Sequence, residues 1–132
     1  MKIAANQLSS RLDQSLLPCY LVSGDEPLLV AEALDAIRAA ARVRGFDSRE
    51  LFVQTTGFDW SDLSNAGGNL SLFADRRIIE LRLPTGKPGV KGSAAICEFV
   101  EQAGDDLLFI VSTPQLDRSG AHWNRATARD RV

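Results

Sequence analysis

The sequence contains little of what metal and disulfide chemistry require. Of its 132 residues, two are cysteine and one is histidine, namely Cys19, Cys97 and His122. Two isolated cysteines with no C-x-x-C pair do not form a disulfide framework, and they favour a reducing compartment. Because zinc sites draw several ligands from histidine and cysteine, a single histidine excludes a multi-histidine metal site. We expect no metal and no other cofactor.

Long apolar runs and an excess of positive charge are also missing. No apolar run approaches the ~20 residues that span a bilayer, and residues 1–15 lack the continuous apolar stretch of a secretory signal. These features predict a cytoplasmic protein without membrane contact. The net charge is -2, so this domain alone lacks the basic footprint of nucleic-acid binding.

The chain does contain enough apolar material for one globular core, with 45% hydrophobic and 24% charged residues. Apolar runs predict strands and amphipathic repeats predict helices, in alternation. Strands are predicted over Cys19–Ser23 and residues 51–53, 77–83 and 107–112, with helices around residues 8–12, 27–45, 59–67, 94–103 and from 121. Residues 84–92 are predicted as a loop. This alternation predicts a three-layer α/β fold with a mainly parallel sheet.

The turn after the first strand is the usual nucleotide site of such a domain. A phosphate loop there reads G-x-x-x-x-G-K-[ST], because glycines expose backbone N–H groups, the lysine neutralises phosphate and the hydroxyl holds magnesium. Here only the first glycine, Gly24, is present. Leu29, Val30 and Ala31 occupy the positions of the second glycine, the lysine and the hydroxyl.

The rest of this turn also disfavours a triphosphate. Asp25 and Glu26 place negative charge where phosphates would lie, and Pro27 removes an N–H donor. We therefore expect a plain helix start, capped by Asp25 or Glu26, that binds no ATP. Paired acids after a first strand also occur in magnesium-binding phospho-receiver domains. That alternative needs an aspartate ending a middle strand and a lysine ending a later one, and neither is present at the predicted strand ends.

Other catalytic patterns are absent from the sequence. No serine lies in a G-x-S-x-G motif. Glu80 lies inside the third predicted strand between apolar residues, which favours an edge-strand or paired carboxylate over a metal ligand. We expect no catalytic site in this domain.

The connection before the third strand contains an apolar segment that suggests a binding function. After two glycines, Leu70, Ser71, Leu72 and Phe73 place three large apolar residues within four positions. Connections usually run over the surface, so Leu72 and Phe73 can project outward as a pair. Alternatively they fold beneath the loop against the core, and the spacing alone leaves both interpretations open.

Three blocks of the sequence resemble the N-terminal domain of the delta subunit of bacterial DNA polymerase III, a part of the clamp loader. They are YLVSGDEPLL at residues 20–29, SLFADRR with the following strand at residues 71–83, and LLFIVS followed by Leu116 and Asp117 at residues 107–117. The blocks occur in the same order over nearly the whole chain. The resemblance implies an AAA+-like (P-loop NTPase-like) domain over residues 1–132 whose phosphate loop is degenerate.

The resemblance also implies a partner, the ring-shaped sliding clamp (the beta subunit), which the family's domain binds and helps to open. The clamp contact of the family ends in Leu-Phe, which matches Leu72 and Phe73, preceded by Leu70 and Ser71. A glutamine often leads such motifs, whereas this chain has glycine and asparagine at positions 68 and 69. The sequence therefore lacks the polar glutamine of the motif but keeps its apolar pair, Leu72 and Phe73.

Members of this family are longer, with a second small domain and a helical collar that joins the pentameric loader. The chain is therefore expected to be a fragment, with contacts to other loader subunits made by the missing domains and DNA reached only through the full complex. The whole polymerase III holoenzyme is a DNA-directed DNA polymerase, and nucleotide would enter through other subunits. An active ATPase of the same fold remains an alternative.

Overall fold

The computed structural model describes residues 5–68, 76–85, 89–102 and 106–114. Helices and strands alternate within these ranges, as the apolar periodicity predicts. In chain order they are α1 (Ala5–Gln14), β1 (Cys19–Ser23), α2 (Pro27–Val43), β2 (Ser48–Val53), α3 (Trp60–Gly68), β3 (Arg77–Arg82), α4 (Gly89–Gln102) and β4 (Leu107–Thr113). The predicted helix from residue 121 lies outside the described residues.

The strands form one parallel sheet of four strands in the order β1–β4–β3–β2. Every residue of the inner strand β4 is buried, as its continuous apolar run predicts for a strand covered on both faces. Because all pairs are parallel, the strands begin at one end of the sheet and finish at the other. We call these the amino end and the carboxyl end.

Helices cover both faces of the sheet, which confirms the predicted three layers. The cores on the two faces are separate: α1 and α2 pack over one, and α3 and α4 over the other. The chain crosses the sheet from β1 to β2 and then returns, so right-handed connections place α2 opposite α3 and α4. None of the helices in the described ranges is long and apolar enough to cross a membrane.

Both β2 and α4 begin earlier than the sequence predicts. β2 begins at Ser48 because it pairs with β3 along its whole length, over Arg49 and Glu50, whose exposed side chains give no apolar signal. α4 begins at Gly89, inside the predicted loop 84–92. Gly92 is buried and lies one helical turn before the buried Ile96, so packing against the sheet outweighs the low helix propensity of glycine.

The ends of α2 are as predicted except for one hydrogen bond. Pro27 opens the helix, where its missing N–H has no partner to lose. Glu26 occupies the cap position, but its side chain makes no capping hydrogen bond, since a glutamate side chain is not among those that readily reach the first turn. Gly45, at φ 91°, ends the helix in the left-handed region.

Asp59 caps α3, as predicted. Its Oδ1 accepts hydrogen bonds from the Ser61 hydroxyl at 2.7 Å and from the Ser61 backbone N–H at 3.0 Å. These two bonds, the hydroxyl's first, lower the pKa of the Asp59 carboxyl below its usual value. The local sequence therefore suffices to start this helix.

Glu80 is a buried carboxylate held by two arginines. It lies in the inner strand β3, so the edge-strand alternative is wrong and the paired carboxylate is confirmed. Arg38 donates to both carboxylate oxygens, with Nη2–Oε2 at 2.8 Å, and Arg49 donates from Nε to Oε1 at 2.9 Å. Asp35 also contacts Arg38, at 3.0 Å. We call these four residues the closed cluster.

Opposing effects set the pKa of Glu80. Burial raises it, and the hydrogen bonds and positive charges of Arg38 and Arg49 lower it further than burial raises it. The net result is a pKa below the usual value for glutamate, so Glu80 is a carboxylate at neutral pH.

Candidate functional site

The candidate ligand site of this topology lies at the carboxyl end, between β1 and β4. The chain leaves β1 toward α2 on one face, whereas α3 and α4 cover the other face. In open α/β sheets, ligands bind in the crevice where successive connections diverge to opposite faces. The turn from Gly24 to Ala31 lies at this crevice.

A cavity of about 310 Å³ lies at this position. It is bounded by the turn after β1, the beginning of α2 and the residues that end β3 and β4. The lining residues are Gly24, Asp25, Pro27, Val30, Ala31, Leu34, Arg82, Pro84, Ser112, Thr113 and Pro114. Among them Arg82 is the cation and Asp25 the anion, and most of the other side chains are apolar.

The turn itself has the geometry of an ordinary strand-to-helix connection. The Gly24 N–H donates to the Thr113 carbonyl oxygen at 3.2 Å, which ties the turn to the end of β4. A Cβ on Gly24 would lie 3.4 Å from Val30 Cγ2, an ordinary contact. Close approach therefore does not require glycine here, whereas a phosphate loop depends on it.

The first turn of α2 presents apolar side chains at the mouth of the crevice. Leu28 is 68% exposed and Leu29 is 53% exposed. Val30, at the position of the phosphate-loop lysine, is partly buried against the core of α1 and α2. These three side chains offer neither a charge nor a hydrogen bond to a phosphate.

The acids of the turn do not form part of a metal site within the described ranges. Asp25 and Glu26 are exposed, and no group of three or more His, Cys, Asp or Glu side chains there is arranged to hold a metal ion. β3 ends at Arg82 and β4 at Thr113, so the aspartate and lysine that a receiver-type site needs do not stand at these strand ends.

The second sequence-predicted site, Leu70, Ser71, Leu72 and Phe73, lies outside the described residues. Its described flanks are α3, which ends at Gly68, and β3, which begins at Arg77. Arg77 Nη1 donates to the Ala66 carbonyl oxygen at 2.9 Å, which holds the end of α3 beside the start of β3. The segment therefore joins the domain at the amino end, opposite the turn after β1.

The amino end also carries a group of residues that the sequence analysis did not single out. A cavity of about 370 Å³ lies there, and the arginines Arg44 and Arg76 are among its lining residues. The Arg76 guanidinium lies over the Phe46 ring, 5.6 Å from its centroid, and its Nε is 3.7 Å from Asp106 Oδ1. No sequence motif joins these four residues, because they precede or follow different elements. We call them the open cluster.

Comparisons with known proteins agree with this fold. A family model described as DNA polymerase III, delta subunit matches residues 20–127. The DNA polymerase III subunit delta of Escherichia coli is 31% identical over 134 aligned positions, covering 100% of this chain and 39% of that protein. That of Haemophilus influenzae is 34% identical over 83 positions, covering 63% of this chain and 24% of that protein.

A solved structure is similar in fold. The DNA clamp loader delta protein of Bacillus subtilis superposes with a TM-score of 0.70 at 14% identity, over 98% of this chain and 42% of that one. The chain thus spans about two fifths of the Escherichia coli relative. The family model covers most of the chain, including β1 from Tyr20 onward and all later elements, and the chain therefore belongs to the DNA polymerase III delta subunit family.

Proposed function

We propose that this chain is the clamp-binding, AAA+-like part of a clamp-loader delta subunit, and that it binds the sliding clamp and helps to open the ring without binding ATP. The observation that carries the proposal is the family match over residues 20–127, which includes the Leu-Phe segment. The likeness of the fold to a clamp loader delta protein supports it.

The carboxyl end supports the part of the proposal that concerns nucleotide. The parallel sheet and the helix that begins after β1 have the layout of a P-loop domain, which supports the AAA+-like assignment. The turn lacks the lysine and hydroxyl of a phosphate loop, and exposed leucines stand at its mouth. A triphosphate there would lose its hydration without gaining the donors that repay this cost.

Leu72 and Phe73 are the residues to which we assign clamp binding, preceded by Leu70 and Ser71. Burying a leucine or a phenylalanine in a pocket contributes roughly 1.5–3 kcal/mol each. Association costs at least ~4 kcal/mol in lost freedom. The pair therefore roughly offsets that cost, and useful affinity needs further contacts from the surrounding surface.

Ring opening needs no chemistry in this domain. A ligand shifts a ring from closed to open only by binding the open state more tightly. In this proposal the domain favours an open clamp interface, and ATP acts through other subunits. We assign contacts with those subunits and with DNA to the parts of the full-length relatives that this chain does not span.

Binding of the 132-residue chain to the sliding clamp of the same organism tests the proposal. We expect Leu72→Ala with Phe73→Ala to weaken binding by ~2 kcal/mol or more, because central apolar anchors dominate truncation costs. The matched control is Val90→Ala, which removes an apolar side chain that is 89% exposed on α4, and it should bind like the wild type. Circular dichroism should show both variants folded. Unfolding of the double variant would assign the pair to the core instead.

Calorimetry with ATP and magnesium tests the absence of nucleotide binding separately. We expect no binding heat beyond dilution, since Val30 and Ala31 replace the lysine and hydroxyl. Saturable binding of ATP by the wild-type chain would favour the active ATPase over this proposal.

A further inference from the structure

The cavity at the amino end is bounded by residues that come just before or at the start of the strands. Pro18 precedes β1, Phe46 precedes β2, Arg76 precedes β3, and Leu108 is the second residue of β4. Residues 69–75, which contain the Leu-Phe pair, run directly into Arg76. The cavity is therefore next in the chain to the segment to which we assign clamp binding.

Arg44 holds its position through carbonyl groups. Its Nη2 donates to the Leu12 carbonyl oxygen at 2.8 Å and its Nη1 to the Ala40 carbonyl oxygen at 3.2 Å. These bonds satisfy free carbonyls near the ends of α1 and α2. Within the described ranges, no carboxylate forms an ion pair with Arg44. Its charge at the cavity is therefore not neutralised there.

Among the described residues, Arg76 is held by an aromatic ring and a backbone carbonyl group. It stacks on Phe46, and its Nη1 donates to the Arg44 carbonyl oxygen. Its ion pair with Asp106 is long, 3.7 Å, and joins side chains that are 42% and 75% exposed. A pair with this geometry and exposure is weak, so another carboxylate can replace Asp106.

A carboxylate fits this arrangement better than a phosphate backbone does. The Arg76 guanidinium presents planar, directed donors that match a carboxylate, and the positive charge of Arg44 lines the same recess. DNA binding draws on a continuous basic surface, whereas the chain has a net charge of -2 and a pI near 5.3. The recess is also rimmed by apolar residues such as Leu16 and Leu17, which suits a protein partner.

We propose that Arg76, positioned by Arg44 and Phe46, binds an acidic side chain of the sliding clamp beside the pocket that takes the Leu-Phe pair. This inference rests on the proposed clamp binding. Arg76 is the contact residue, because its side chain is 42% exposed and it donates to one carbonyl group, whereas Arg44 donates to two. Arg44 is a positioning residue, since its donors are taken up by the carbonyls of α1 and α2.

The test measures affinity of the 132-residue chain for the sliding clamp of the same organism. We expect Arg76→Gln to weaken binding roughly tenfold, and Arg76→Lys to recover part of the loss because it keeps the charge. Asp106→Asn should strengthen binding about two- to threefold, since it removes the carboxylate that competes for Arg76. The difference between wild type and Arg76→Gln should shrink in ~1 M salt, where charges are screened beyond ~3 Å.

Asp35→Asn is the matched control, because Asp35 has the same 75% exposure as Asp106 and also pairs with an arginine. It should leave clamp affinity unchanged, and an equal gain in both variants would overturn the inference in favour of a general charge effect. If Arg76→Gln fails to fold, Asp106→Asn and Arg76→Lys decide the question.

The two proposals fail in different ways. Wild-type affinity in Arg76→Gln, alongside lost binding in the Leu72→Ala with Phe73→Ala variant, overturns the role of Arg76 and leaves clamp binding standing. No clamp binding by the wild-type chain overturns both. An effect of Arg76→Gln on binding of a short DNA duplex, with none on the clamp, would assign the recess to phosphate instead.

Discussion

Two groups of arginines in this domain pair with carboxylates in different surroundings, one buried and one exposed. In the closed cluster, both oxygens of the buried Glu80 are occupied by Arg38 and Arg49, from α2 and β2. In the open cluster, Arg44 and Arg76 donate mainly to backbone carbonyls, and the carboxylate of the cluster, Asp106, is exposed and lies 3.7 Å from Arg76. The first group is complete within the domain. In the second, within the described residues, Arg44 has no carboxylate partner and Arg76 has one at 3.7 Å. This group lies at the amino end of the sheet, where the chain enters β3 after residues 69–75.

The difference follows from where each group lies. Glu80 is in an inner strand, beneath a helix, where a charge without a partner is costly. The arginines of the open cluster stand at the amino end, where water can complete their hydrogen bonds. Because Glu80 is buried, its charge must be paired within the domain. The arginines of the open cluster are accessible to water and can therefore bind a carboxylate of another protein. Folding stability should depend on the first group and binding on the second.

The largest effect on folding is expected from Glu80→Gln. This change keeps the shape of the side chain and removes the charge that both arginines face, leaving Arg38, with 17% of its side chain exposed, without its main counterion. Breaking a buried pair by removing one partner costs about 3–5 kcal/mol. Because Arg49 is partly exposed, we expect the free energy of unfolding to fall by an amount near the lower end of this range. Urea denaturation monitored by circular dichroism measures the loss.

Glu50→Gln is the matched control, because Glu50 is an exposed glutamate on the adjacent strand β2. It should change the free energy of unfolding by no more than about 0.5 kcal/mol. Equal effects of the two substitutions would mean that the closed cluster contributes nothing beyond an exposed charge. The contrast between buried and exposed arginine groups would then fail.

The same cluster predicts a pH dependence. The folded-state pKa of Glu80 is lowered from its ordinary value of 4.5, so the unfolded chain takes up a proton first as the pH falls. The stability that Glu80 contributes is therefore fully present above about pH 4.5 and is lost as the pH falls through the folded-state pKa. The stability gap between wild type and Glu80→Gln should narrow over that interval. A gap that stays constant to pH 3 would contradict this assignment.

The sequence predicts strands well where burial on both faces leaves a continuous apolar run. β1 was predicted over its observed range, Cys19–Ser23, and β4 within one residue of its end, Thr113. β2 was predicted three residues short, because its exposed residues are ordered by pairing with β3 and not by their own pattern. The start of α4 is predicted too late because glycine has a low helix propensity, although the helix extends through the buried Gly92.

The candidate sites also differ in how far the sequence predicts them, according to whether their residues are close together in the chain. The turn from Gly24 to Ala31 is contiguous in sequence, so its lack of phosphate-binding groups could be predicted without coordinates. For Glu80 the sequence predicts an edge-strand or a paired carboxylate and cannot choose between them, because its partners Arg38 and Arg49 lie 42 and 31 residues away. The open cluster gave no sequence signal, because topology alone brings the beginnings of β2, β3 and β4 together.

The smallest effect on folding is expected from Asp106→Asn. A small change in the free energy of unfolding would distinguish the open cluster from the closed cluster. Its carboxylate is 75% exposed and 3.7 Å from Arg76, so its loss should change the free energy of unfolding by less than about 0.5 kcal/mol. Asp35→Asn should be equally mild, since Glu80 continues to neutralise Arg38. Thermal unfolding of both variants measures this. A marked loss of stability in Asp106→Asn alone would mean that Asp106 already completes the open cluster, and that Arg76 has no free capacity for a partner.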